Sequence, residues 1–487
     1  MAALQALPIA ENHIKLKFMT QKPAWAIENY LDVKNGRLSV GGVDCVELAE
    51  KFETPLFVFS EARIRHNIDR LKAVEKAIEM PLKICYAAKA NSNMAILRTV
   101  RENSISLETN SGGELFKALK VGFAPGDIIL NGTSKSEEEL EQAITAGIYA
   151  IQADSLFEVE LIESVARKIN KKANVSLRLV PEIATDTLHG LQTAMLTSKF
   201  GMLAAEVLAA FRRWHNSELL NLCGIHLHLG SQNPDGLPYT EAFIKLFDLM
   251  AQIFDETGKR LTHLNLGGGF PVNYLRDTSN AGVMTKNQQA LFAAELDPAQ
   301  VLEKAVGVVR GVAKDSGAGH LLEGLTILLE PGRSVISDAG LVLTKVRNRK
   351  QRPLPDGAID SWLLTDAGYN IMLSMNNYDW YYHCISASRA DVPHQTKYKI
   401  AGPLCDGGDV YFDIEGGDKL PDHRLLPENV DTGEILAMLN CGAYSLAQMF
   451  PYNGRPLPAA ILVRENGEVE LIRKRDSYEL LIESDIW

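Results

Sequence analysis

Cysteine is scarce and scattered: the six residues, at 45, 85, 223, 384, 405 and 441, form no closely spaced pair. That argues against a zinc site and a disulfide framework, and it predicts free thiols in a reducing, cytoplasmic setting. Long apolar runs are missing as well. None approaches the ~20 residues that span a bilayer, and Met1-Ala-Ala-Leu-Gln-Ala-Leu-Pro8 lacks the basic start and long apolar core of a secretory signal. There is no excess of basic charge. Fifty Lys and Arg against 61 Asp and Glu give a formal net charge of −11, which speaks against nucleic acid or an anionic membrane as partner. Low-complexity tracts are absent. What remains is a soluble globular chain of 487 residues, 46% hydrophobic, long enough for more than one domain.

What is present is a strand–helix alternation repeated eight times. Strand-like runs occupy Leu82 to Lys89, Ile105 to Asn110, Asp127 to Gly132, Tyr149 to Asp154, Val175 to Pro181, Cys223 to Gly230, His263 to Gly269 and Leu325 to Pro331. They are rich in Ile, Leu and Val on both faces, as buried parallel strands are, and each ends on a polar or glycine-rich tip. Between them, segments such as Met94 to Val100 and Leu156 to Ile169 carry apolar residues at helical spacing. Ser111-Gly-Gly-Glu114 and Ser136-Glu-Glu-Glu139 read as capping boxes that open helices directly after a strand. Eight such units over about 250 residues predict a (β/α)8 barrel. Beyond Gly340 the helical period fades, and short strands alternate with turn clusters such as Gly407-Gly408-Asp409 and Gly416-Gly417-Asp418. Thr54-Pro-Leu-Phe-Val-Phe59 is also strand-like. The expectation is an α/β chain in which both ends, residues 1–58 and 336–487, build a second, β-rich domain around an inserted barrel, 59–335.

In such a barrel the strand tips carry the chemistry. Lys89 puts an amine at the first tip; alone it reads more often as a surface or ion-paired lysine. An amine there suits covalent attachment of an aldehyde cofactor, pyridoxal phosphate, which needs a phosphate cup, a partner for its ring nitrogen and a group against its ring face. Leu266-Gly267-Gly268-Gly269-Phe270 follows the seventh strand, where barrels commonly bind phosphate through backbone N–H groups, although a triple glycine also makes a plain turn. Glu330-Pro331-Gly332-Arg333 ends the eighth strand. Glu330 can keep a pyridine nitrogen protonated and Arg333 can hold phosphate, or the two can simply pair. His226-Leu-His228-Leu-Gly-Ser231 ends the sixth with histidines at alternate positions. One can lie on a cofactor ring, with Ser231 on the phosphate, while the other is satisfied in the core. A metal pair lacks a nearby third ligand, so no metal is expected.

Taken in order, the lysine run, Ser111-Gly-Gly-Glu-Leu115, Ser198-Lys-Phe-Gly201, His228-Leu-Gly-Ser231, Gly267-Gly-Gly269, Glu330-Pro-Gly-Arg333, Cys405-Asp-Gly-Gly-Asp409 and Gly442-Ala-Tyr444 resemble those of the fold-type III pyridoxal phosphate decarboxylases. This is the group of diaminopimelate, ornithine and arginine decarboxylases, and the resemblance runs from about Thr54 to Arg455. It implies an alanine racemase-like barrel, pyridoxal 5′-phosphate as cofactor and an amino acid substrate that loses carbon dioxide. It implies Lys89 as the Schiff-base lysine, His228 stacked on the ring and Glu330 at the ring nitrogen. Around the phosphate it implies Ser231, Gly267, Gly268, Gly269, Gly332, Arg333 and Tyr444. Cys405 is implied as the proton donor which, with Asp406, comes from the second subunit of a homodimer with shared active sites. Glu108 and Arg178 fall where the family places a supporting ion pair. A carboxylate at the ring nitrogen makes a full electron sink and suits decarboxylation, whereas the related alanine racemase uses an arginine there. Outside its motif, Cys405 would read as an inert buried thiol.

One stretch departs from the family. Diaminopimelate decarboxylases usually carry Arg-Pro-Ala-Leu-Tyr shortly after Asp-Ala-Gly, with the arginine on the far carboxylate of the substrate. Here Asp366-Ala-Gly368 leads to Leu373-Ser-Met-Asn-Asn-Tyr-Asp-Trp380, with no arginine before Arg389. A buried carboxylate left without a partner is costly. After the cysteine, Asp406-Gly-Gly-Asp409 replaces the usual Glu-Ser-Gly-Asp and is closer to the aspartate that ornithine decarboxylases set against a distal ammonium. These departures predict a basic diamino acid as substrate, with Tyr378, Asp379, Asp406 and Tyr444 as contacts. The tail Leu471 to Tyr478 and the run around Asn110 are most similar to the bacterial D-ornithine/D-lysine decarboxylase branch, implying D-lysine or D-ornithine and release of a diamine. The alternatives are another diamino acid (L-ornithine, L-lysine or a specialised-metabolite precursor), meso-diaminopimelate with an arginine supplied from elsewhere, and a family member kept as a binding regulator without catalysis. Two loops, 181–197 with His189 and 271–297, receive no role.

Overall fold

The computed structural model describes residues 23, 25–183, 198–276, 283–415 and 420–486. Eight parallel strands close into a barrel: β1 (Leu82–Ala87), β2 (Ser106–Thr109), β3 (Ile128–Leu130), β4 (Ala150–Ala153), β5 (Ala173–Arg178), β6 (Leu220–His226), β7 (His263–Asn265) and β8 (Thr326–Leu329). They neighbour one another in chain order, and β8 returns to β1 with Ile327 opposite Leu82. Each run read from the sequence overlaps one of these strands and overhangs its C-terminal end, although β5 and β6 begin two and three residues before the runs do. The overhangs are the polar tips, and they all emerge on one face of the ring.

The helices between strands start where their caps place them. Ser136 Oγ accepts from Glu139 N, and the Glu139 carboxylate accepts from Ser136 N, a complete capping box for Glu137–Ala146. At Gly112–Val121 only half of the expected box forms. Ser111 Oγ caps Glu114 N, but the Glu114 carboxylate reaches back one residue further, to Asn110 N at 2.8 Å, and so pins the tip of β2.

Strand Gly340–Pro353 is the hub of the second, β-rich unit, pairing with Leu56–Ser60, Ile359–Thr365 and Ile435–Met438. Leu56–Ser60 lies between it and Ala459–Val463, so segments from both ends of the chain share one sheet. Residues 56–59 are fully buried and alternate in what they pack against. Phe57 and Phe59 join the core shared with the barrel, while Leu56 and Val58 join a second core with Leu31, Leu38 and Val40 of the N-terminal hairpin. Asp366 ties the same parts together, its carboxylate accepting from Thr54 Oγ1 at 2.7 Å and Thr344 Oγ1 at 2.8 Å. Gly407 to Asp409 form a turn, whereas Gly416-Gly417-Asp418 and His189 lie outside the described residues. No described helix is long and apolar enough to cross a membrane.

Candidate active site

The strand tips surround a cavity of about 430 Å³. Lys89, Asn131, Arg178, His226, His228, Ser231, Glu330 and Arg333 line it from the barrel, and Ser374, Tyr378, Tyr444 and Gln448 from the short helix and turns of the β-rich unit. Other cavities are of similar size, but this is the one that gathers the tips. Barrel closure alone brings together residues as far apart in sequence as Lys89 and Arg333.

Glu330 is buried at the end of β8 and well supplied with partners. Asn265 Nδ2 donates to it at 2.7 Å, Asn131 Nδ2 lies 3.2 Å from both its oxygens, and His226 Nε2 is 3.2 Å from Oε2. Burial pushes its carboxyl up, but His226 and Lys89 outweigh burial and hold it down at about 2. Glu108, fully buried at the tip of β2, behaves oppositely. Burial lifts its carboxyl to about 7 against the pull of Lys89, with Glu330 adding to the rise. Two neighbouring carboxyls are thus driven apart, and Glu330 is the one that stays ionised near neutral pH. Lys89 Nζ stands 3.7 Å from Glu108 Oε1. Burial works against its charge, yet Glu108, Tyr444 and Glu330 raise its pKa above the usual lysine value.

His228 Nδ1 accepts from Gly268 N–H at 3.1 Å, which leaves its proton on Nε2. Burial, then Lys89 and Arg178, keep the imidazole neutral. Of the alternate histidines, His226 is the one set beside a carboxylate, although it too reaches the cavity wall. Arg333 makes no ion pair with Glu330. Its Nε donates to Ser231 Oγ at 3.0 Å and its Nη1 to Tyr274 OH at 2.7 Å, and the guanidinium lies 4.2 Å over Trp380 and 5.0 Å from the Tyr444 ring. Among the described residues, this buried cation has no carboxylate partner. The glycine turn is dictated by packing: Gly267 has φ 66°, and a Cβ on it would lie 2.6 Å from Leu227 O, while one on Gly268 would overlap Glu330 O. Gly332 is pressed between Ala87, Ala90 and the Tyr444 hydroxyl. Tyr444 itself takes φ 57° and donates its N–H to Ala90 O, so it is tied directly beside Lys89.

Two expectations meet a different arrangement, those for the Glu108–Arg178 pair and for Asp379. Glu108 and Arg178 do not pair with each other. Adjacent strands run about 5 Å apart, and β3 and β4 stand between these two tips, so each charge takes a nearer partner: Lys89 for Glu108, and Asp154 at 3.8 Å for Arg178. Asp379 does not line the cavity. Its left-handed backbone, φ 50°, follows the short helix Ser374–Asn377 and divides Tyr378, on the wall, from Trp380, buried under Arg333. Cys405 and Asp406 are exposed and lie outside this chain's cavity. Asp406 is held by Tyr369 OH at 2.9 Å and Gly408 N at 2.8 Å, which lower its pKa.

Sequence reasoning missed Asn131 and Asn265, whose only signal is a polar residue closing an apolar strand. It also missed Tyr274 and Trp380, which no local pattern marks. Together these groups suit a ligand with a phosphate, an aldehyde carbon and a basic ring nitrogen. The cation with a hydroxyl beside it, the amine, the neutral imidazole and the ionised carboxylate answer its parts one by one. Such a barrel and site define a pyridoxal phosphate-dependent enzyme.

Comparison with known proteins agrees. Residues 64–337 match the family described as "Pyridoxal-dependent decarboxylase, pyridoxal binding domain", and residues 274–442 match its "C-terminal sheet domain". The diaminopimelate decarboxylase of Aquifex aeolicus is 33% identical over 463 residues, 94% of this chain and 97% of that protein. The crystal structure of diaminopimelate decarboxylase from M. jannaschii, in co-complex with L-lysine, aligns with TM-score 0.81 at 32% identity, covering 94% of this chain and 98% of the other. The lysine/ornithine decarboxylase of Vibrio vulnificus, 20% identical with TM-score 0.67 over 86% of this chain and 98% of that one, shares the fold. The chain belongs to the pyridoxal-dependent decarboxylases and is a pyridoxal phosphate-dependent amino acid carboxy-lyase. Relatives that match over nearly its whole length include diaminopimelate decarboxylases, where the sequence pointed to the D-ornithine/D-lysine branch.

Proposed function

We propose that the chain removes a carboxylate from a diamino acid, and that meso-diaminopimelate is its substrate ahead of D-lysine or D-ornithine. The observation that carries the reaction type is Glu330, a buried carboxylate kept ionised at the cavity wall by His226, Asn131 and Asn265. Pyridoxal phosphate, when bound, supplies the sink for the electrons of the broken bond. Lys89 is its point of covalent attachment, and Glu330 keeps its ring nitrogen protonated. His228, neutral and fixed by Gly268, lies against the ring. Arg333, Ser231, Gly267, Gly268, Gly269, Gly332 and Tyr444 form the phosphate cup. Glu108 takes and returns the proton of the Lys89 amine, while Arg178, anchored by Asp154, supports the wall.

The relatives carry the substrate reading, because identity to diaminopimelate decarboxylases extends over 94% of the chain. In the absence of an arginine between 366 and 380, Arg178 and Lys199 on the cavity wall are, among the described residues, the cations left to meet a far carboxylate. A second reading, D-lysine or D-ornithine, is favoured by Ser374, which lines the cavity in the segment where the family carries that arginine. Tyr378 and Tyr444 contact substrate under either reading. Cys405 and Asp406 complete the partner's site in a homodimer, Cys405 protonating the substrate carbon and Asp406 meeting the distal ammonium. Their exposure outside this chain's own cavity supports that arrangement.

Carbon dioxide release by the cofactor-loaded protein from meso-diaminopimelate, D- and L-lysine, and D- and L-ornithine tests this. Preference for meso-diaminopimelate supports the first reading. Preference for D-lysine or D-ornithine overturns it in favour of the second, and release from none of them overturns both.

A further inference from the structure

Asn131 closes the run Ile128-Ile-Leu-Asn131 at the tip of β3, and its amide is buried between two carboxylates from other strands. Nδ2 donates to Glu108 Oε1 at 2.8 Å and lies 3.2 Å from each oxygen of Glu330, while Oδ1 has no partner among the described residues. The acid beside the Lys89 amine and the acid assigned to the ring nitrogen therefore share one donor group. The other titratable and charged groups around them are Cys85 on β1 and Lys89 after it, Glu114 beyond β2, Arg178 on β5, His226 and His228 at the end of β6, His263 on β7, and Tyr444.

We infer that Asn131 is a positioning residue that yokes Glu108 to Glu330, so that a proton can leave the Lys89 side of the site while Glu330 keeps its charge. Two neighbouring buried carboxylates repel, and a donor shared between them favours the charged form of each. With the amide removed both acids lose a donor, Glu108 the nearer one at 2.8 Å and Glu330 the one 3.2 Å from its oxygens, so the pair holds a proton to a higher pH and the ionised partner of the ring nitrogen is weakened. The inference rests on the assignment of Glu330 to that nitrogen.

The test uses the cofactor-loaded Asn131→Ala and Asn131→Ser proteins, read by kcat and KM against pH, by pH titration of the bound cofactor's visible absorbance, and by thermal unfolding. A hydrogen bond to a charged group corresponds to about one to two pKa units. The acid limb of kcat and the absorbance titration are expected to move up together by about that amount, with KM unchanged and the serine variant, which retains one donor, lying between. A lowered melting temperature with both titrations in place would show a merely structural residue and overturn the inference. If the alanine variant does not fold, the serine variant alone must show the shift. Glu330→Gln separates the two claims. Unchanged absorbance and turnover in that variant sink the ring-nitrogen assignment; a collapse there beside an unmoved acid limb in Asn131→Ala sinks only the role of Asn131.

Discussion

Replacing Glu108 by glutamine in the cofactor-free protein is expected to remove a loss of stability that the wild type suffers as the pH rises. Burial, opposed by Lys89 and reinforced by Glu330, lifts this carboxyl from 4.5 to about 7 in the folded chain. The folded state therefore holds a proton that the unfolded state has already released between those values. Stability linked to this proton is complete below pH 4.5 and is lost as the pH climbs through about 7. At 1.36 kcal/mol per unit, that rise corresponds to about 3 kcal/mol. Glu330 does not blur the window. Its folded pKa is depressed to about 2, so its own contribution is in place above pH 4.5 and is lost only toward lower pH. The glutamine side chain has the shape of the protonated acid and cannot titrate. Unfolding entropy of about 2.1 cal/mol/K per residue makes 3 kcal/mol worth about 3 °C in a chain of this length. Thermal unfolding of both proteins at pH 5 and pH 8 should show the wild type falling further than the variant by about 2 to 3 °C. Parallel behaviour of the two proteins would mean that Glu108 is ionised throughout, and the division of charge between the two acids would be wrong.

Gly268→Ala places a methyl group into Glu330 O, so the tips of β7 and β8 must part; overpacking of this kind costs about 1–3 kcal/mol. Cofactor titration should show affinity lowered by about tenfold or more. Arg333→Met keeps a side chain over Trp380 but removes the cation, and loss of a charge-assisted contact to phosphate should weaken cofactor binding by about 10- to 100-fold. Unchanged affinity would remove Arg333 from the cup. Lys89→Ala and Cys405→Ala chains, each inactive alone, should recover about a quarter of wild-type activity when mixed in equal amounts, because half of the random dimers are mixed and each of those has one intact site. No recovery would refute sites shared between subunits.

The barrel was legible because its signal is local and repeated. A strand covered by helices outside and side chains inside must be apolar on both faces, and its tip must turn polar where it leaves the core. Closure then brings every tip to one face, so Lys89, His228, Ser231, Glu330 and Arg333 could be gathered without knowing any contact between them. Contacts were the part that failed. Asn131 and Asn265 acquire meaning only from Glu330, 199 and 65 residues away, and a polar residue at a tip does not announce which carboxylate it will meet. Glu108 and Arg178 failed for a related reason: opposite charges at two tips suggest a pair, but strand order decides which charges are adjacent, and Lys89 and Asp154 stand closer. Asp379 shows the limit at the scale of one residue. Beside a helix of four residues, a single left-handed backbone angle decides whether a side chain faces the cavity, and neither the spacing nor the composition of Tyr378-Asp-Trp380 fixes that angle. The same limit bears on the substrate. The loss of an arginine near Ser374 is visible in the sequence, whereas Arg178 and Lys199 join Ser374 on one cavity wall only through the fold, which no motif records.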